Sequence, residues 1–140
     1  MRNAECEVRN EKHSNLKDRT KAFAVAVVRL VQCLPKNRTS WTLGNQLLRS
    51  GTSVGANYRA ACRARSRKEF VAKLGIVEEE ADESVFWLDL LMESGVVASE
   101  RVTDLRREAR ELLAITITSI RTARLARPSI PHSALRTSHS

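Results

Sequence analysis

Between Asn57 and Lys73 six cationic side chains, Arg59, Arg63, Arg65, Arg67, Lys68 and Lys73, stand against a single acid, Glu69. Clustered guanidinium and ammonium groups do one kind of chemistry well. Arg forks onto the oxygens of a phosphate and Lys adds a mobile point charge. Displaced counterions then supply an affinity that ignores base sequence and falls steeply with salt. Arg59, Arg63, Arg65, Arg67 and Lys68 are therefore the candidate nucleic-acid-binding residues. The same charges would also fit an acidic strip on a neighbouring subunit. That reading is favoured for Arg63 and Lys73, and binding for Arg65, Arg67 and Lys68.

Other chemistry is poorly provided for. Ser, Cys and His never fall at a spacing that pairs a nucleophile with its base. The glycines of Gly51-Thr-Ser-Val-Gly55 lack the Lys-Ser/Thr that a phosphate loop needs. Cys6, Cys33 and Cys62 form no CxxC pair, and His13, His132 and His139 lie near the ends. Neither a zinc site nor a disulfide scaffold is expected, and no cofactor is implied. Glu78, Glu79 and Glu80 have no His on their helix, as a di-iron bundle would require. For nucleic acid there is no sequence-reading element: no zinc finger, no helix-turn-helix glycine turn, and no aromatic among the arginines apart from Tyr58. The protein is expected not to be an enzyme.

Ser66 and Glu69 read S-x-x-E, a capping box that starts a helix inside the basic stretch. With five Gly and three Pro in 140 residues, long helices are favoured over many short strands. The first helix is predicted from a cap at Ser14 or Asn15 to about Leu34, ended by Pro35, with Phe23, Val27, Leu30 and Leu34 on one face. Its run Ala22 to Val28 also alternates like a strand, and its apolar surplus suggests a second interface. A second helix is predicted from Thr39 or Ser40 to about Ala64, with Leu47, Gly51, Val54, Tyr58 and Ala61 inward. Gly51 and Gly55 mark either a close approach of another backbone or a kink. A third runs from the Ser66 cap to about Ser94, with Gly95 as its stop and Phe70, Leu74, Val77, Ala81, Ser84, Leu88 and Leu91 as its seam. Its acids, from Glu78 to Glu93, call for a basic neighbour from the same chain or another copy. Ile76, Glu83, Trp87 and Leu90 trace a second face, the candidate subunit interface. A fourth is predicted from a Ser99 cap to Pro128, with Val102, Leu105, Ala109, Leu112, Thr116 and Ile120 inward. The expected fold is all-α, an antiparallel up-down-up-down four-helix bundle over 14–127. A flexible arm over 1–13 and a disordered tail over 128–140 flank it.

The net charge of +8 and a pI near 10.1 admit nucleic acid, an acidic protein or an anionic membrane surface as partner, or a merely solubilising surface. No run reaches the ~18 apolar residues of a membrane span, and the first twenty residues have no apolar core. A reducing cytoplasm and no membrane association are expected.

From Leu47 to Gly95 the chain resembles the four helix bundle protein family, also known as the 23S rRNA intervening-sequence protein family. Two blocks carry the resemblance. One ends in Ala56-Asn57-Tyr58-Arg59. The other runs Arg65-Ser66-Arg67-Lys68-Glu69-Phe70 into Glu78-Glu79-Glu80-Ala81-Asp82-Glu83 and Phe86-Trp87-Leu88. The resemblance implies bundles that assemble into homopentameric rings. It also brings in a relative, the accessory variability protein of diversity-generating retroelements, a basic pentamer that binds nucleic acid and a reverse transcriptase. Ala60 departs from the pattern, because many relatives carry Glu there, and its loss makes the corner more basic. The function expected is thus a homopentameric ring binding RNA or DNA through its backbone. The alternative is a scaffold ring docking a partner protein, such as a reverse transcriptase, with the basic patch serving assembly.

Overall fold

The computed structural model describes residues 11–126, with side chains from Leu16 onward. Four helices account for nearly all of them: α1, Glu11–Gln32; α2, Arg38–Cys62; α3, Arg67–Glu93; and α4, Ser99–Leu125. Consecutive helices pack side by side through short turns. α1 meets α4 over a smaller stretch, which closes an antiparallel up-down-up-down bundle. Residues 1–10 of the expected arm, Arg127, Pro128 and the tail lie outside the described residues.

α1 begins at Glu11, three residues before the predicted cap. Glu and Lys are good helix formers and an acid suits a helix start, so the periodic segment extends backwards. The strand-like run Ala22 to Val28 is helical. Its surplus is visible as Val25, 42% exposed. The end of α1 tightens, with N–H groups of Cys33 and Leu34 bonded to carbonyls three residues back (3.0 and 3.2 Å) before Pro35.

The cap of α2 is Asn37, whose side chain accepts the N–H of Ser40 at 2.9 Å. Thr39 and Ser40 are already inside the helix. Asn matches Ser and Thr as a cap, and with three such residues between 37 and 40 the choice falls to the turn. α2 runs unbroken through both glycines. A Cβ on Gly51 would sit 2.8 Å from Val27 Cγ2, and one on Gly55 would sit 3.1 Å from the backbone oxygen of Thr20. The small residues therefore admit α1, and the helix is not broken there.

All the predicted inward residues of α1, α2 and α4 are buried, and those of α3 from Leu74 to Leu91 as well. Phe70 is half-buried at the seam's open end. Fully buried Tyr58, Phe23, Leu47, Leu74, Leu88, Leu91 and Leu112 carry the largest apolar burial, each worth about 1.5–3 kcal/mol over leaving it exposed. Gly95 takes φ +76°, the left-handed turn that ends α3. α4 starts one residue before expectation: Ala98 stands at the cap without a side-chain bond, and Ser99 is the first helical residue. The Ser99 carbonyl accepts the Thr103 hydroxyl at 2.7 Å.

Candidate nucleic-acid interface

Ser66 stops one helix and starts the next. Its extended backbone turns the chain, and its hydroxyl accepts the N–H of Glu69 at 3.0 Å. The returning half of the capping box lands one residue further back than the motif predicts. A Glu69 carboxylate oxygen accepts the N–H of Arg65 at 3.4 Å, not that of Ser66. The first two N–H groups of α3, on Arg67 and Lys68, take no partner within the helix. The positive end of the α3 dipole thus lies in the basic corner.

Arg59, Arg63, Arg65 and Lys73 line one shallow, open depression of about 490 Å³, together with Ala56, Ala60 and Glu69. α2 supplies Ala56, Arg59 and Ala60, the turn supplies Arg63 and Arg65, and the start of α3 supplies Glu69 and Lys73. Arg67 and Lys68 are exposed on the first turn of α3 and do not line it. Three of the five candidate residues are therefore brought together, two stand beside them, and Lys73 joins. The spacing 56, 59, 60, 63 was available in sequence as a single helical face with two alanines and two arginines. Ala60 leaves open the space that a longer side chain would fill. None of the six cations makes an ion pair with a described residue. Of the two aromatics in this stretch, Tyr58 is 1% exposed and belongs to the core, and Phe70 is half-buried against it.

The acidic strip of α3 finds its basic neighbour within the same chain. Arg49, which sequence reasoning passed over, reaches from α2 to Glu80 (3.3 Å) and to Glu83. Arg106 of α4 pairs with Asp89. Glu83 also accepts the indole N–H of Trp87 at 3.2 Å. That hydrogen bond, followed by the guanidinium of Arg49, holds the Glu83 carboxyl below its ordinary value. The same contact, with Glu80 adding charge, raises Arg49. At the α1–α4 seam Arg19 grips Glu108 (2.6 Å) and Glu111 (3.1 Å).

The candidate interface residues Ile76, Glu83, Trp87 and Leu90 are all half-buried on α3. Glu83 and Trp87 are tied to each other and to Arg49. The exposed apolar group on this helix is Phe86, 55% exposed, packed edge-on against Trp87 with ring centroids 4.9 Å apart. Among the described residues no group of three His, Cys, Asp or Glu gathers as a metal would need, and no helix is long and apolar enough to cross a membrane.

The model of the 23S rRNA-intervening sequence protein family matches residues 12–118. The chain belongs to this family. Its fold is similar to the crystal structure of a protein of unknown function from the S23 ribosomal protein family of Bacteroides thetaiotaomicron. The two are 36% identical with a TM-score of 0.70, over 74% of this chain and 96% of that one. No curated protein matches the chain.

Proposed function

We propose that this family member is a non-enzymatic cytoplasmic protein that forms a homopentameric ring and holds nucleic acid by its phosphate backbone, without regard to base sequence. One observation carries the reading. Arg59, Arg63, Arg65 and Lys73 converge on one open depression whose single acid, Glu69, forms no ion pair with them, while the other acids that might have claimed them, Glu80, Glu83 and Asp89, are engaged by Arg49 and Arg106 of the same chain. A ring would repeat the corner and add weak sites through effective concentration. Exposed Phe86 and Val25 are the apolar groups that subunit contacts would cover.

The test is fluorescence anisotropy with labelled RNA and DNA over a salt series. Changing Arg59, Arg63 and Arg65 together to Glu is expected to weaken binding on the order of 100-fold, since three cations no longer displace counterions. Binding that survives the change, or is indifferent to salt, overturns the reading. Light scattering tests the ring: Phe86→Glu should give smaller species, and a wild-type monomer at micromolar concentration rejects the pentamer.

A second reading has its own support. Glu79 and Asp82 are exposed on α3 without an ion pair among the described residues. In a scaffold ring they would receive the basic corner of the next subunit, and a partner protein would be the cargo. The triple change would then break the oligomer before it touched any nucleic acid.

A further inference from the structure

Resting on the nucleic-acid reading, we infer that the corner prefers duplex to single-stranded nucleic acid. Proteins that hold single strands combine a basic groove with exposed aromatic side chains on which unpaired bases stack. This corner has the charge and lacks the platform. Tyr58 is sealed in the core at 1% exposure, and Phe70, on the first turn of α3, is half-buried and packed against the core. The two exposed aromatics are elsewhere: Trp41 lies about 27 Å from Arg59 by helical rise along α2, and Phe86 about 20 Å from Lys73 along α3. A base attached to a phosphate held by Arg59 or Arg63 reaches neither.

The shape agrees. The depression is shallow and open, so it does not enclose a flexible strand. A single strand bound by phosphates alone loses conformational freedom without stacking in return. A duplex comes already ordered, with one charge per roughly 1.7 Å of axis, and releases more counterion per phosphate neutralised. Arg59 and Arg63 lie one helical turn apart, about 6 Å along α2, and present two cations in a row to one edge of its backbone.

The salt dependence gives the preference a size. Four cations neutralising about four phosphates give a slope of log K against log salt near −3.6 on B-form DNA and near −2.8 on a single strand. Lowering salt from 1 M to 0.1 M therefore separates the two by about six-fold per corner.

The test uses the full chain with a 20-base-pair DNA duplex and an oligothymidylate of 20 nucleotides, titrated by anisotropy across salt. Several-fold tighter duplex binding is expected, with the steeper slope, and with both lost in Arg59→Glu/Arg63→Glu. Should that double reversal fail to fold by circular dichroism, Arg63→Gln, at an exposed position, is expected to lower the duplex slope by about one. Oligothymidylate binding as tightly as duplex overturns the inference and leaves the nucleic-acid reading standing. A duplex preference that persists unchanged in the corner variants also overturns it. Binding of neither probe overturns both.

Discussion

At mid-bundle Arg49 crosses from α2 to Glu80 and Glu83, Arg106 crosses from α4 to Asp89, and Gly51 has no room for a methyl group beside Val27. At the corner between α2 and α3, Arg59, Arg63, Arg65 and Lys73 form no ion pair among the described residues, and the one acid beside them, Glu69, accepts the Arg65 backbone N–H. Two residues beyond Lys73, a methyl group on Gly75 would meet nothing within 4 Å. The first region draws on all four helices and the second on α2, α3 and the turn between them, with the same residue types. In the first, charge and space are used up by the fold. In the second they are left over. Charged residues are therefore not equivalent evidence of binding: what distinguishes a binding cation from a structural one is whether the neighbouring helix already supplies its partner.

The largest stability effect expected from this contrast is at Gly51. Gly51→Ala meets three atoms of fully buried Val27 at 2.8–3.1 Å, and Val is branched at Cβ and cannot swing away. Overpacking of this kind costs about 1–3 kcal/mol, more than the ~1 kcal/mol gained in helix propensity. A lower denaturation midpoint is the outcome; an unchanged one would show that α1 yields freely. Ser66→Ala removes the bond to the Glu69 N–H and should lower stability by about 1 kcal/mol, read from the urea midpoint, without weakening nucleic-acid binding more than slightly. Gly75→Ala should act in the opposite direction and stabilise by about 0.4–1 kcal/mol. A destabilised Gly75→Ala would place a covering element over the open end.

The smallest effect is in acid. The Glu83 carboxyl is held low by Trp87 and then by Arg49. A lowered folded-state value stabilises the fold above the ordinary carboxylate range, and that contribution disappears as pH falls through the folded value. Both partners are partly exposed, so the loss is modest. Melting temperatures from pH 6 down to pH 3 should fall less steeply in Glu83→Gln than in the parent. Parallel curves would mean that this carboxylate does not couple folding to protons.

Local signals were legible wherever one helix carries its own information. Pro35 and Gly95 end α1 and α3 as their backbone limits require, and Ser66 begins α3. The inward stripes of all four helices follow from spacings of three and four. Where several residues could do the same local job, the reading slipped by a few positions. Asn37 caps α2 in place of Thr39 or Ser40, Ala98 precedes α4 where Ser99 was expected, and Glu69 reaches Arg65. Each is a choice among neighbouring positions separated by less than one turn.

By itself, the sequence determined the number of helices, their order, the faces that go inward and the basic composition of the α2–α3 corner, because periodicity and turn chemistry act within a single segment. Only the tertiary structure decided which charges are spent. Arg49 is unremarked in its own helix and becomes the partner of the acidic strip because α2 lies beside α3. Lys73 joins Arg59 and Arg63 for the same reason, and on α3 Phe86 is left in water while Trp87 is half-buried. These outcomes depend on the rotation of each helix about its axis against its neighbour, which side-chain packing across the interface sets and spacing along one helix does not record.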